Sequence, residues 1–176
     1  SSVLCRRIKQ LYDETEMGLE FHICHGTHTH VYWRIDKRMS WSEGRKQCQK
    51  FKGGELMSIH NPKEQAIATH LSTYEPMHKH HGFWKSWAWI GINRKDCKDP
   101  SSWSDGTSLE DYSNYWVGEP NCLQFSDGVH EPCVRHAREE CIHMTGGDHE
   151  SKPPGWNDTA CCAHLMTLCK APKNQA

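Results

Sequence analysis

Two triplets place hard oxygen donors side by side in this chain: Glu119-Pro120-Asn121 and, further on, Trp156-Asn157-Asp158. Each joins a carboxylate to a carboxamide. Calcium favours such a set, taking roughly six to eight oxygens in a tolerant geometry, whereas softer metals favour Cys or His. Glu139, two residues before Cys141, offers a third carboxylate between the triplets. Alone, a Glu-Pro-Asn is only a turn, since Pro fixes φ and Asn tolerates turn geometry. The weight comes from its company.

That company is an ordered series: Trp89-Ile90-Gly91-Ile92, Trp103-Ser104-Asp105-Gly106, Tyr115 through Asn121, Glu139-Glu140-Cys141, Trp156 through Cys161, and finally Cys169. The series resembles the C-type lectin family from about Cys24 to Lys170. The resemblance implies an α+β, C-type lectin-like fold, disulfide-stabilised, with two helices, small antiparallel sheets and a long irregular calcium-binding loop region. It implies an N-terminal extension over 1–21, the lectin domain over 22–172 and a tail over 173–176.

The elements that must position the triplets are legible in part. Leu4, Ile8, Leu11 and Tyr12 share one face of a short helix. That helix packs back on its own domain or frays, or else it is a subunit contact with Cys5 bridging chains. Val31-Tyr32-Trp33 reads as the first strand of the domain. Ser40 and Glu43 have reciprocal capping spacing and open the first long helix, which Gly53-Gly54 stop. Leu56 to Ile59 reads as a strand. Asn61, Pro62 and Glu64 start a second helix, with Ala66, Ile67, His70, Leu71 and Tyr74 as its apolar stripe.

By the same resemblance, Glu119, Asn121, Glu139, Asn157 and Asp158 hold one principal calcium ion and also meet the sugar, with Pro120 cis. Glu-Pro-Asn implies sugars with equatorial 3- and 4-hydroxyls (mannose, N-acetylglucosamine, fucose), where Gln-Pro-Asp tends toward galactose. An auxiliary calcium site of many relatives falls here on Arg94, Lys98 and Cys122. A cation at a liganding position opposes another by roughly 4 kcal/mol per pair at 4 Å in a partly shielded site, so that second site is expected to be lacking. The triplet Asn157-Asp158-Thr159 also fits a glycosylation signal and is read as coincidental.

Residues 122–138 are longer than the family needs between Asn121 and Glu139. The loop carries Asp127, His130, Glu131 and His136 and is expected to overhang the sugar, with His130 touching it; it could narrow specificity, add contacts or block the site. Spacing suits Cys122 and Cys133 to close this loop. The resemblance pairs Cys48 with Cys169 and Cys141 with Cys161. Cys5, Cys24, Cys97 and Cys162 are left to pair within or between chains. Val31 stands where longer relatives carry a partner for Cys24, so Cys24 pairs elsewhere, with Cys5 as one choice, or stays free.

Ten cysteines among 176 residues, without tandem Cys-x-x-Cys pairs, indicate disulfides and an oxidising compartment. The chain opens at Ser1-Ser2 without an apolar leader and is expected to be a processed, secreted form. With 21 basic and 22 acidic residues no basic footprint points to nucleic acid. No apolar run approaches the roughly 20 residues of a membrane helix. Glycans or glycoconjugates are the expected partners, with a homo-oligomer, disulfide-linked through the extension, as a further expectation because linked weak sites gain avidity. The histidines cluster at 25, 28, 30 and at 78, 80, 81, where a zinc or copper site is one reading; clustered His in a loop with no nearby Cys or carboxylate reads instead as solvated surface. No nucleophile elbow or His-Glu-x-x-His helix suggests an enzyme. The rival expectation is a domain of this fold that binds protein or a mineral or ice surface, its sugar site vestigial.

Overall fold

A computed structural model describes residues 2–13, 21–74, 85–124, 133, 137–147 and 152–174. Three helices flank one mixed sheet: α1 (Ser2–Asp13), α2 (Trp41–Cys48), α3 (Pro62–Thr73), and strands β1 (Phe21–Gly26), β2 (His30–Met39), β3 (Glu55–Leu56), β4 (Ala88–Asn93), β5 (Cys141–Thr145), β6 (Gly155–Thr159) and β7 (Leu165–Pro172). The sheet runs β1-β2-β7-β4-β5-β6, with β3 added to β7. All pairings are antiparallel except β4 with β7. None of the described helices is long and apolar enough to cross a membrane.

Helical caps and the nearly continuous burial of β2, β4, β5 and β7 account for most of these elements. Ser40 Oγ accepts the Glu43 N–H at 3.3 Å, capping α2, and its hydroxyl rather than its backbone N–H donates to the Glu43 carboxylate at 2.7 Å. Asn61 Oδ1 accepts the Glu64 N–H at 2.9 Å, and Pro62 fills the first position of α3, where no N–H is needed. The α3 stripe expected from hydrophobicity is rotated. Ala66, His70 and Tyr74 face solvent, while Glu64, Gln65, Ile67, Ala68, Leu71 and Ser72 are buried. Two polar side chains turn inward because the interior offers partners. Gln65 accepts the Trp156 indole N–H at 2.8 Å, and Glu64 takes the Tyr32 hydroxyl at 2.6 Å and the Lys170 ammonium at 2.7 Å. Buried polar groups with such partners cost little.

The N-terminal helix belongs to the domain. Ile8 and Tyr12 are fully buried, and the Tyr12 hydroxyl donates to the Gln47 carbonyl at 2.6 Å and accepts the Trp33 indole N–H at 3.1 Å. Cys5 bonds Cys24, pinning α1 to β1. The expectation of a chain-to-chain bridge at Cys5 is thereby corrected, because no cysteine is left free for one.

Four more disulfides are Cys48–Cys169, Cys141–Cys161, Cys97–Cys122 and Cys133–Cys162. The first joins the end of α2 to β7 and the second β5 to the turn after β6, as the resemblance implies. The expected Cys122–Cys133 bond is absent. Cys122 is held by its backbone on Asp158, with φ +52, and bonds Cys97 of the short 3-10 turn Lys95–Cys97. Cys133 lies against the core and bonds Cys162. Loop length could not reveal this, because a disulfide needs a Cα separation of about 4.4–6.8 Å that only the folded chain sets.

Candidate functional site

The edge strand β6 is the foundation of the site. Its register with β5 sets Asn157 opposite His143 and Asp158 opposite Ile142. The preceding Trp156 is buried, ringed by Trp103, Tyr112 and Tyr115 in edge-to-face contacts. A long loop must then come to this edge. It docks first at Tyr115–Trp116: the Trp116 N–H donates to the Trp156 carbonyl at 3.0 Å, and the Trp156 N–H to the Asn114 carbonyl at 2.9 Å. Close approach here requires Gly155, where a Cβ would lie 2.8 Å from Trp116 Cδ1 and 3.0 Å from the Asn114 oxygen.

The loop then turns outward. Gly118 adopts φ +85, a conformation glycine takes freely, and the Glu119 N–H closes the turn on the Trp116 carbonyl at 3.0 Å. The Glu119–Pro120 peptide is cis, as the resemblance implies. Beyond it the chain returns to the same strand, the Cys122 N–H donating to Asp158 Oδ2 at 2.6 Å. Residues 116–122 therefore form an excursion anchored at both ends on β6, with Glu119 and Asn121 at its crest. Asn121 donates to Glu119 through its backbone N–H (3.1 Å) and through Nδ2 (3.2 Å).

Glu139 is brought alongside by the returning chain: its N–H donates to the Leu123 carbonyl at 3.0 Å, and Gln124 bridges Arg138. Four of the five expected ligand residues thus lie on this excursion and the β6 segment it closes on. Glu139 is positioned through its main chain, on Leu123, which lies two residues past Asn121. His130, with Asp127, Glu131 and His136, lies outside the described residues, as do His78, His80 and His81. Within the inserted loop, residues 122–124, 133, 137 and 138 are described, and Cys133 is tethered to Cys162 in the turn that follows β6. Where an auxiliary calcium site is found in relatives, Arg94 pairs Asp99 at 2.8 Å and Cys122 is bonded to Cys97. Thr159, the last residue of the glycosylation triplet, is fully buried in β6.

The electrostatics are those of crowded oxygens. Burial, and then the Asp158 carboxylate facing it, push the Glu119 carboxyl up to about 7; the Asn121 N–H and Lys152 oppose the shift. Asn157 Oδ1 and Asp158 Oδ1 are buried and receive no hydrogen bond among the described residues. Acceptor oxygens in that state call for a proton, a water or a cation. A hard divalent cation would answer that demand. The donor set, two carboxylates with neighbouring carboxamides, suits calcium rather than a transition metal. Among the described residues no three His, Cys, Asp or Glu side chains converge as a metal-holding group, so the fit depends on the amide oxygens.

Sequence reasoning missed two participants. The Cys122 N–H takes one Asp158 oxygen, which a cysteine directly after Asn121 could have suggested only through its fixed partner Cys97. Lys152 sets its ammonium 4.5 Å from the Trp116 ring centre beside the excursion, and no spacing announced it.

Strand, loop and bridges together define a small disulfide-braced binding domain of the C-type lectin-like fold. Residues 37–171 match the lectin C-type domain, and the chain belongs to this family of carbohydrate-binding domains. It is 30% identical over 142 residues to human C-type mannose receptor 2, covering 80% of this chain and 8% of the receptor. Mouse L-selectin is 26% identical over 171 residues, 93% of this chain and 38% of the selectin. The chain thus spans well under half the length of these relatives. Among solved structures it is similar to the carbohydrate-recognition domain of cow CD23 in the presence of a GlcNAc2Man3 oligosaccharide, at 25% identity and a TM-score of 0.59, covering 86% of this chain and 95% of that one.

Proposed function

We propose that this domain is a secreted, calcium-dependent lectin for sugars with equatorial 3- and 4-hydroxyls, of the mannose and N-acetylglucosamine type. The observation that carries the reading is the closure of the Glu119–Asn121 excursion on β6, which leaves Asn157 Oδ1 and Asp158 Oδ1 buried without donors among the described residues. Glu119, Asn121, Glu139, Asn157 and the side chain and carbonyl of Asp158 would hold one calcium ion. Bound there, the ion would supply the charge that draws in two vicinal hydroxyls. The chain supplies direction: Glu119 and the amide oxygen of Asn157 accept hydroxyl protons, while the Asn121 and Asn157 amide groups donate. Bonds of this kind to an ionised carboxylate are stronger than neutral ones. The Glu-Pro-Asn order, rather than Gln-Pro-Asp, is what favours mannose-type sugars over galactose.

A glycan array probed in calcium and again in chelator tests this. Binding to mannose- or N-acetylglucosamine-terminated glycans that disappears with chelator is the expected result. Galactose preference, or sugar binding that chelator leaves intact, sinks it. A second reading, a domain that binds protein or a mineral or ice surface, draws support from Cys122, whose N–H already takes one Asp158 oxygen. It predicts an array blank in both conditions.

A further inference from the structure

At the other end of the sheet lies a cavity of about 410 Å³, between the turn 27–29, the start of α3 and the end of β7. Its walls include His28, His30, His60, Lys63 and Lys170, with Glu64 as the one carboxylate. That carboxylate is already committed: Oε2 takes the Tyr32 hydroxyl (2.6 Å) and the Lys170 ammonium (2.7 Å), and Oε1 the His60 N–H (3.0 Å). Glu64 therefore cancels Lys170. His60 is committed as well, its Nδ1 3.0 Å from the Asp111 carboxylate and its Nε2 2.7 Å from Thr107 Oγ1, so Lys63, His28 and His30 are the groups left to meet a ligand.

The helix end adds to this sign. Pro62 has no N–H, Asn61 serves the Glu64 and Gln65 amides, and the Lys63 N–H at the second helical position has no acceptor within the helix. An exposed N–H at a helix N-terminus carries partial positive charge. Hydroxyls of Thr27 and Thr29 complete the mouth, Thr29 Oγ1 lying 2.7 Å from His30 Nδ1. His30 registers the environment. Burial first, then Lys170 and His60, hold its pKa below the ordinary value against the opposing pull of Glu64 and Asp105.

We propose that this cavity binds a tetrahedral oxyanion carried on a sugar, a sulfate or phosphate monoester, independently of calcium. The Lys63 ammonium and backbone N–H, with the His28 and His30 imidazoles, match an anion's several acceptor oxygens. The volume lies in the roughly 300–1,000 Å³ range of ligand pockets, too large for a bare anion and suited to an anion with the ring that bears it.

The test is titration of the intact chain with inorganic sulfate, and separately inorganic phosphate, in the presence of chelator, following the His28, His30 and His60 imidazole signals by NMR. Saturable shifts are expected, with chloride at matched ionic strength producing none. Lys63→Met and His28→Gln should each weaken binding at least about fivefold while the remaining imidazole signals keep their positions, since both side chains are exposed. Shifts that never saturate, that chloride reproduces, or that both variants retain overturn the proposal. A sulfated and a phosphorylated hexose then separate the sources: the one bound more tightly than its free anion is the ligand class. If neither gains over the free anion, a sugar-borne ligand is excluded. Because chelator is present throughout, none of these outcomes depends on the calcium site.

Discussion

The side chains at the crest of the Glu119–Asn121 excursion contribute little to the fold and much to the proposed ion. Glu119 is half-buried and Asn121 exposed, and their hydrogen bonds are largely to each other. Asp158 differs, since its carboxylate also anchors Cys122. Glu119→Ala or Asn157→Ala should therefore lower calcium affinity at least about tenfold, which is about 1.4 kcal/mol, and abolish saccharide binding with the melting temperature nearly unchanged. Calorimetric calcium titration beside thermal melts reads both quantities; normal sugar binding by either variant would refute the ligand assignment. Asp158→Ala is expected to harm fold and site together. Four of the five proposed ligand residues were legible because triplet order survives in the sequence, and Glu139 through its spacing to Cys141. The Cys122 N–H on Asp158 was not, because a backbone donor leaves no residue-type signature.

At the level of elements, the site depends on how closely the loop approaches β6. Gly155→Ala would drive a methyl into Trp116 and the Asn114 carbonyl, and backbone cannot yield cheaply. A loss of about 1–3 kcal/mol in urea denaturation is expected, with calcium affinity falling as the excursion lifts. A second dependence runs through α3. Burial alone would raise the Glu64 carboxyl, yet hydrogen bonds from Lys170 and Tyr32 hold it below its usual value; Asp105, likewise opposed by burial, is held down by Ser58 and Thr107. A depressed carboxyl contributes stability that is present above its unfolded pKa and is lost as pH falls through the folded one. Stability should therefore begin to decline below about pH 4.5. In Glu64→Gln that decline should be shallower, from a starting point on the order of 3 kcal/mol lower at pH 7, because Lys170 keeps a buried charge without its carboxylate. Equal acid slopes in both proteins would count against the pair. The caps of α2 and α3 could be read from Ser40 and Asn61, since a cap is local. The buried face of α3 was legible only at Ile67 and Leu71; Glu64 and Gln65 turn inward only where Lys170 and Trp156, distant in sequence, receive them.

Over the whole molecule, five bridges divide between holding the core and aiming the loop. Cys48–Cys169 spans 121 residues and ties α2 to β7, so the loop-entropy relation gives about 5 kcal/mol for it. Cys97–Cys122 spans 25 residues, worth about 3.5 kcal/mol on the same relation, but it fixes the residue that follows Asn121. Replacing the first pair by alanines should cost the larger stability, and calcium binding should fall only as the folded fraction falls. Replacing the second should cost less stability yet weaken calcium binding in protein that is still folded, since Cys122 would lose its tether while Asp158 stays in β6. Urea melts and calcium titrations on both double variants separate the two roles. If the Cys97/Cys122 variant binds calcium like the parent, that bridge serves stability alone, and the excursion is held by its two β6 anchors without it.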